Sequence, residues 1–206
     1  MVKRGRYAEA ERNDAAILDA ARAVLVADPG APIAAIAKRA GVGMGAIYNR
    51  YGSKEELIRV LLTIGLDTYL TELEAALAAE GDAWDAYIAF LTNILEADTH
   101  SLAIRLAGTF TPTDEQNRKA DRTVELGVEL FTRAQASGRM RQDVTYLDVS
   151  GLLSAIAHTT MPTPERTAEI RKRQLALVVD GLRCEGATPL PGAAPTWEEE
   201  GQRWNN

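Results

Sequence analysis

A single cysteine, Cys184, stands among 206 residues. No internal disulfide and no multi-thiolate metal site can be built from it, which excludes the disulfide-stapled secreted scaffolds. Histidine is nearly as scarce. His100 and His158 are the two present, and with Cys184 they do not make a metal set, so no metal or other cofactor is expected. No run of roughly 18 uncharged apolar residues occurs, so no membrane partner is expected either. A glycine-rich phosphate loop, a nucleophile elbow and a two-histidine zinc spacing are all missing, and no pair of acids has a spacing that specifies catalysis. An enzyme is therefore not the expected reading. The basic opening Met-Val-Lys-Arg-Gly-Arg runs into acidic and polar residues, where a signal segment would be apolar. A reduced, cytoplasmic protein is expected. What is present is ordinary globular usage, with 46% apolar and 25% charged residues. The length suits one large domain, or a small one joined to a medium one.

The net charge of −6 argues against a nucleic-acid partner until the chain is divided. Residues 1–52 carry eight basic side chains (Lys3, Arg4, Arg6, Arg12, Arg22, Lys38, Arg39, Arg50) and five acids (Glu9, Glu11, Asp14, Asp19, Asp28). That end is +3, and the rest is −9. A basic end on an acidic body is the asymmetry expected when one part meets a polyanion; chance is the competing account of so modest a surplus.

Almost every periodic segment reads as helix, and no alternating run is long enough for a strand. Ile17, Ala20, Ala21, Val24 and Leu25 share one face before Pro29-Gly30. A second short helix opens at Pro32 and a third runs from Met44 to about Tyr51. A long helix follows from Ser53 to about Ala79, with Ser53 and Glu56 matching a capping box. Its apolar stripe shifts from Leu57, Val60, Leu61 and Ile64 to Leu66, Tyr69, Leu70, Leu73 and Leu77. It is thus the expected link between the basic end and the acidic body. Further helices are predicted at 84–97, 101–107, 114–136, 147–160 and 164–184, separated by Gly- and Pro-bearing loops. Residues 186–206, with three prolines, three glycines and the triplet Glu198–Glu200, read as a flexible tail.

Residues 33–51, IAAIAKRAGVGMGAIYNRY, carry the functional signal. Two short helices crossing steeply need small residues where they meet, and Ala37 and Ala40 supply them. The tight turn needs a residue that tolerates positive φ, which Gly41 provides. Val42, Ile47 and Ile36 then plug the small core. The pattern is a helix-turn-helix, with a plain glycine-turned helical hairpin as the alternative. On the outer face of the third helix stand Met44, Gly45, Ala46, Tyr48, Asn49 and Arg50. Small residues let the helix N-terminus approach a groove, Tyr48 and Arg50 offer phosphate contacts, and Asn49 can pair with an adenine edge.

The stretch IAxxAGVGxGxIYxxYxSKEEL at residues 36–57, preceded by ILDAARxxL at 17–25, resembles the TetR family of bacterial transcriptional regulators. The resemblance implies an all-α chain: a three-helix helix-turn-helix DNA-binding domain at 1–52, a helical ligand-binding and dimerisation domain at 53–185, and the tail at 186–206. By similarity, Gly45, Tyr48, Arg50 and Lys54 take DNA-backbone positions, while Met44, Ala46 and Asn49 take positions that vary with the operator. Lys3, Arg4 and Arg6 resemble the minor-groove arm of some members, a solvated terminus being the alternative. Three departures stand out. Gly43 replaces the usual Ser or Thr cap of the recognition helix, Ala31, Pro32 and Ala34 replace polar residues opening the second helix, and Tyr51 replaces Phe. Fewer phosphate contacts follow, with more weight on Lys54, Arg50 and the arm.

Over the body the resemblance is architectural. Val149, Leu152, Leu153 and Ile156, with Leu175, Val178, Val179 and Leu182, form stripes suited to the family's four-helix dimer interface, or else face their own core. A pocket is expected between the linking helix and residues 84–136. Tyr69, Trp84, Tyr87, Phe90, Phe110 and Phe131 are available to line it, and His100 and Arg105 to orient a polar group; core packing is the competing role of each aromatic. The implied function is a homodimeric repressor released from a palindromic double-stranded operator by a small-molecule effector. The alternative is a helical small-molecule-binding protein or enzyme whose hairpin is purely structural.

Overall fold

In the computed structural model, backbone is described for residues 2–106 and 110–205, and side chains for these except 2–11, 99–100, 104 and 203–205. The described chain is all-α. Ten helices run in order: α1 Val2–Ala27, α2 Ile33–Ala40, α3 Met44–Tyr51, α4 Lys54–Ala78, α5 Ala83–Glu96, α6 Thr99–Leu106, α7 Asp114–Ala136, α8 Tyr146–His158, α9 Pro164–Gly181 and α10 Trp197–Asn205. The nearest approach to a strand among the described residues is an isolated antiparallel bridge between Met140 and Arg183.

Most helix starts are chemically marked. Ser53 accepts from the Glu56 amide at 3.1 Å, but the Glu56 carboxylate turns outward to Arg59, so only half the expected capping box forms. Complete boxes open α7 at Thr113–Gln116 and α8 at Thr145–Asp148. Asp82 caps α5 and Thr163 caps α9, with Pro164 at the first helical position. Pro32 stands one residue outside α2, as its cap.

The core divides into two clusters. The first joins Ile17, Ala21 and Leu25 of α1 to Ile36, Ala37 and Ile47 of α2 and α3, and reaches Leu57, Leu61 and Leu62 of α4 and Leu102 and Leu106 of α6. The second gathers Leu73, Trp84, Phe90, Leu91, Leu130, Phe131, Val149, Leu153, Leu175 and Leu182. α4 therefore contributes its beginning to one cluster and its end to the other, as the shifting stripe requires. Each fully buried aliphatic contributes about 1.5–3 kcal/mol.

Two expectations need correction here. The segment read as a flexible tail contains α10, because Thr196 and Glu199 form a reciprocal cap: the Thr196 amide donates to the Glu199 carboxylate at 2.8 Å and the Glu199 amide to the Thr196 hydroxyl at 3.3 Å. Composition obscured that local signal. The proposed dimer stripe is largely spoken for within the chain. Val149, Leu153, Ile156, Leu175 and Leu182 are buried in the second cluster, and Val178 and Val179 pack against it. Helical spacing reveals that a stripe is buried, but not against what. Among the apolar residues that α8 and α9 leave exposed are Leu152, Ala155, Ala168, Ala176 and Leu177, the last 65% accessible.

Candidate DNA interface and ligand cavity

The turn between α2 and α3 is built as its sequence demands. Gly41 adopts φ 70°, a left-handed conformation nearly free of cost only for glycine. The chain then folds back, with the Val42 amide donating to the Ala37 carbonyl at 3.1 Å. Ile47 has no exposed surface. Its burial fixes the rotation of α3, so Met44, Gly45, Ala46, Tyr48, Asn49 and Arg50 all lie on the exposed side. Gly43 caps α3 without a side-chain bond, leaving that N-terminus unobstructed.

Two of the cations assigned to phosphate already hold the free protein together. Arg50 clamps Asp14 of α1 through Nε at 2.7 Å and Nη2 at 2.6 Å. Its guanidinium lies 5.9 Å from the centre of the Tyr51 ring. The hydrogen bond and charge of Asp14 raise the Arg50 pKa, while burial, then Asp14, raises that of Tyr51. Lys54 donates to the Pro29 carbonyl at 3.0 Å. These contacts tie α3 to α1 and α4 to the loop after α1. Lys3, Arg4 and Arg6 have backbone in α1, but their side chains lie outside the described residues.

A cavity of about 630 Å³ opens between α4, α5, α6, α7 and α8. Of the residues proposed for it, Tyr69, Tyr87, Phe90 and Phe110 line it. Trp84 and Phe131 do not, being packed in the second cluster at 1% and 5% exposure. Arg105 is also outside the lining, its Nε buried without a hydrogen-bond partner. The His100 side chain lies outside the described residues. The sequence reading missed Gln116, Tyr146, Ser150, Ser154, Trp197 and Glu200, all in the lining. Their polar character gave no periodic signal, and the last two belong to α10. The Tyr69 and Tyr146 side chains both line the cavity. Burial raises the pKa of both, and of Tyr87, so the phenols stay neutral donors.

The seat of Tyr146 is a glycine. A Cβ on Gly127 would meet the Tyr146 hydroxyl oxygen at 2.9 Å. Gly127→Ala, normally stabilising within a helix, is therefore expected to destabilise by about 1–2 kcal/mol through overpacking. Thermal unfolding checks the sign.

Arg22 connects the cavity to the helix-turn-helix end. It belongs to α1 and lines the cavity, and its Nη1 donates to the Asp98 carbonyl at 3.0 Å and the Ala97 carbonyl at 3.5 Å. Asp98 has φ 50°, strained for a residue with a side chain, although Asp tolerates it better than most. Arg171 of α9 grips its carboxylate at 2.7 Å and also donates to the Ala157 carbonyl at 2.7 Å and the Thr159 carbonyl at 3.0 Å. Helices α1, α5, α8 and α9 thus converge on one loop.

Among the described residues, no group of three or more His, Cys, Asp or Glu could hold a metal, and no helix is long and apolar enough to cross a membrane.

Comparison with known proteins gives two family matches. Residues 17–61 match the bacterial regulatory proteins of the tetR family, and residues 79–184 match the C-terminal domain of SbtR-like transcriptional regulators. A TetR transcription regulatory protein from Mycobacterium vanbaalenii is 26% identical over 86% of this chain and 98% of that one, with a TM-score of 0.55. The TetR transcriptional regulator SCO0520 from Streptomyces coelicolor is 27% identical over 83% and 98%, with a TM-score of 0.55. LfrR from Mycobacterium smegmatis, a TetR-like regulator solved in complex with proflavine, shares the fold at 24% identity over 87% and 99%, with a TM-score of 0.58. No curated protein matches the chain in sequence.

Proposed function

Because the chain belongs to the TetR family of bacterial transcriptional regulators, which are DNA-binding proteins and not enzymes, we propose that it is a cytoplasmic homodimeric repressor of a palindromic operator, released by a small molecule. The observation that carries this reading is the 630 Å³ cavity whose lining includes Arg22 of the DNA-facing α1. The proposal assigns residues 1–52 to DNA and 53–185 to effector and partner. Met44, Ala46 and Asn49 read bases, and Gly45, Tyr48, Arg50 and Lys54 meet phosphate.

A single α3 reads few base pairs. A two-fold dimer places two recognition helices roughly 34–36 Å apart, one turn of DNA, and doubles the contacts. Leu152, Ala155, Ala176 and Leu177 are among the exposed groups available to join two copies through α8 and α9, since the rest of the stripe is occupied in the core.

Release is a linkage between cavity and groove. An effector against Arg22, Leu61 and Leu62 competes with the seating of α1 on Ala97 and Asp98 and tilts the start of α4. Taking the operator from nearly full to nearly empty needs a differential of about 5 kcal/mol between the two states.

Binding to operator fragments at increasing salt tests the first half. Affinity falls steeply with salt if phosphates are contacted, and affinity indifferent to salt would sink the proposal. The double variant Tyr48→Phe, Arg50→Ala is expected to bind about tenfold more weakly per subunit. Its salt slope drops by about one unit per lost charge contact. Sedimentation should still show a dimer.

A further inference from the structure

The chain beyond residue 184 lies outside both family matches, yet it returns to the cavity. Arg141 holds the Thr188 carbonyl, and Asp143, paired with Arg141 at 2.7 Å, accepts from the Leu190 amide at 3.0 Å. The Thr196–Glu199 cap then starts α10, which delivers Trp197 and Glu200 into the lining.

We propose that α10 is a wall of the effector cavity, and that Trp197 and Glu200 select a flat aromatic ligand bearing a protonated amine. This rests on the cavity being the effector site. Trp197 stacks on Tyr146 with ring centres 6.0 Å apart and planes 26° apart, while remaining 55% exposed. One face of the indole covers Tyr146, and surface enough remains for a guest. Deeper in, Tyr69 meets Phe90 edge-on at 5.4 Å, and Tyr87 lies 6.4 Å from Phe90. The cavity is therefore walled by aromatic rings from its mouth inward, a surface suited to flat molecules.

Charge decides what else the guest carries. Among the described lining residues, Glu200 is the one carboxylate and Arg22 the one cation. Arg22 is turned to the carbonyls of Ala97 and Asp98. Glu200 and Tyr146 share the cavity lining, and the Tyr146 pKa is raised by burial and further by the Glu200 charge. A carboxylate beside aromatic faces favours a cation twice, through Coulomb attraction and through the ring quadrupoles.

The test uses the full chain and three probes that share one ring system: pyrenemethylamine, pyrenemethanol and pyrenecarboxylate, titrated by fluorescence without DNA. The wild type should bind the amine at least about tenfold more tightly than the carboxylate. Trp197→Ala should weaken all three probes about fivefold or more. Glu200→Gln should bring the amine down to the level of the alcohol and leave the alcohol unchanged. Both substitutions fall on an outer helix, and unchanged unfolding temperatures confirm that neither acts through the fold. Equal wild-type affinities for amine and carboxylate, or variants indistinguishable from wild type, overturn the assignment of α10. Thr123→Phe, which fills the cavity, separates the two readings. Probe binding lost in Thr123→Phe but untouched at Trp197 and Glu200 leaves the effector cavity standing without α10. Probe binding that survives Thr123→Phe sinks both.

Discussion

Ile47→Asp is expected to abolish operator binding, lowering affinity more than about a hundredfold, beyond any substitution on the exposed face of α3. Ile47 has no accessible surface, and its cluster consists of apolar side chains from α1, α2, α4 and α6. No cation among the residues of that cluster can pair with a new carboxylate. Loss of the buried isoleucine and burial of an unpaired charge together exceed about 4 kcal/mol. α3 cannot stay seated at that cost, and with it go Tyr48, Asn49 and Arg50. The second cluster does not contain Ile47, so helices α7 to α9 should persist. Circular dichroism should show a partial loss of helical signal, and gel shift should show no specific complex. Operator binding within tenfold of wild type would mean that α2 and α3 are not the reading unit.

Arg171→Met is expected to lower stability by about 3 kcal/mol, the largest effect among single charge removals. Its side chain is 7% accessible, against 36% for Asp98. One guanidinium satisfies the Asp98 carboxylate and the carbonyls of Ala157 and Thr159. Methionine fills the space but takes the guanidinium from all three acceptors: the Asp98 carboxylate and the Ala157 carbonyl keep only Ser101, and the strained Asp98 backbone keeps the Arg22 contact to its carbonyl. For a chain of this size the unfolding temperature should fall by about 6–12 °C. Arg122→Met provides the contrast. Its pair with Glu125 is exposed on both sides, so its loss should cost less than about 1 kcal/mol. Equal shifts in the two variants would show that the Asp98 loop is not a structural junction. Since Arg22 meets the same loop, Arg171→Met should also blunt any effector response that survives at lower temperature.

Much of the reading unit was legible in residues 33–51. Glycine at the turn, alanines at the crossing and isoleucine inside are local requirements of two short helices, and local requirements leave local marks. The shift of apolar positions along α4 was legible for the same reason. The cavity was half legible. Tyr69, Tyr87, Phe90 and Phe110 line it, while Trp84 and Phe131 carry the same chemistry and pack the core instead. Only the mutual placement of helices separates those roles.

The opening scarcity also takes on a sharper meaning. With one cysteine, two histidines and no membrane-length apolar run, sequence alone determined an all-helical chain with a basic end that carries the turn. These follow from residue chemistry and short-range spacing. Tertiary structure decided the long-range matters. It assigned Val149, Leu153 and Leu175 to the core, since a buried stripe does not name its partner. It turned Arg50 and Lys54 into intramolecular clamps, since a cation takes the nearest acceptor the fold presents. It brought residues 197 and 200 back to the wall of a cavity whose lining begins at residue 22, because packing between helices distant in sequence leaves no periodic trace.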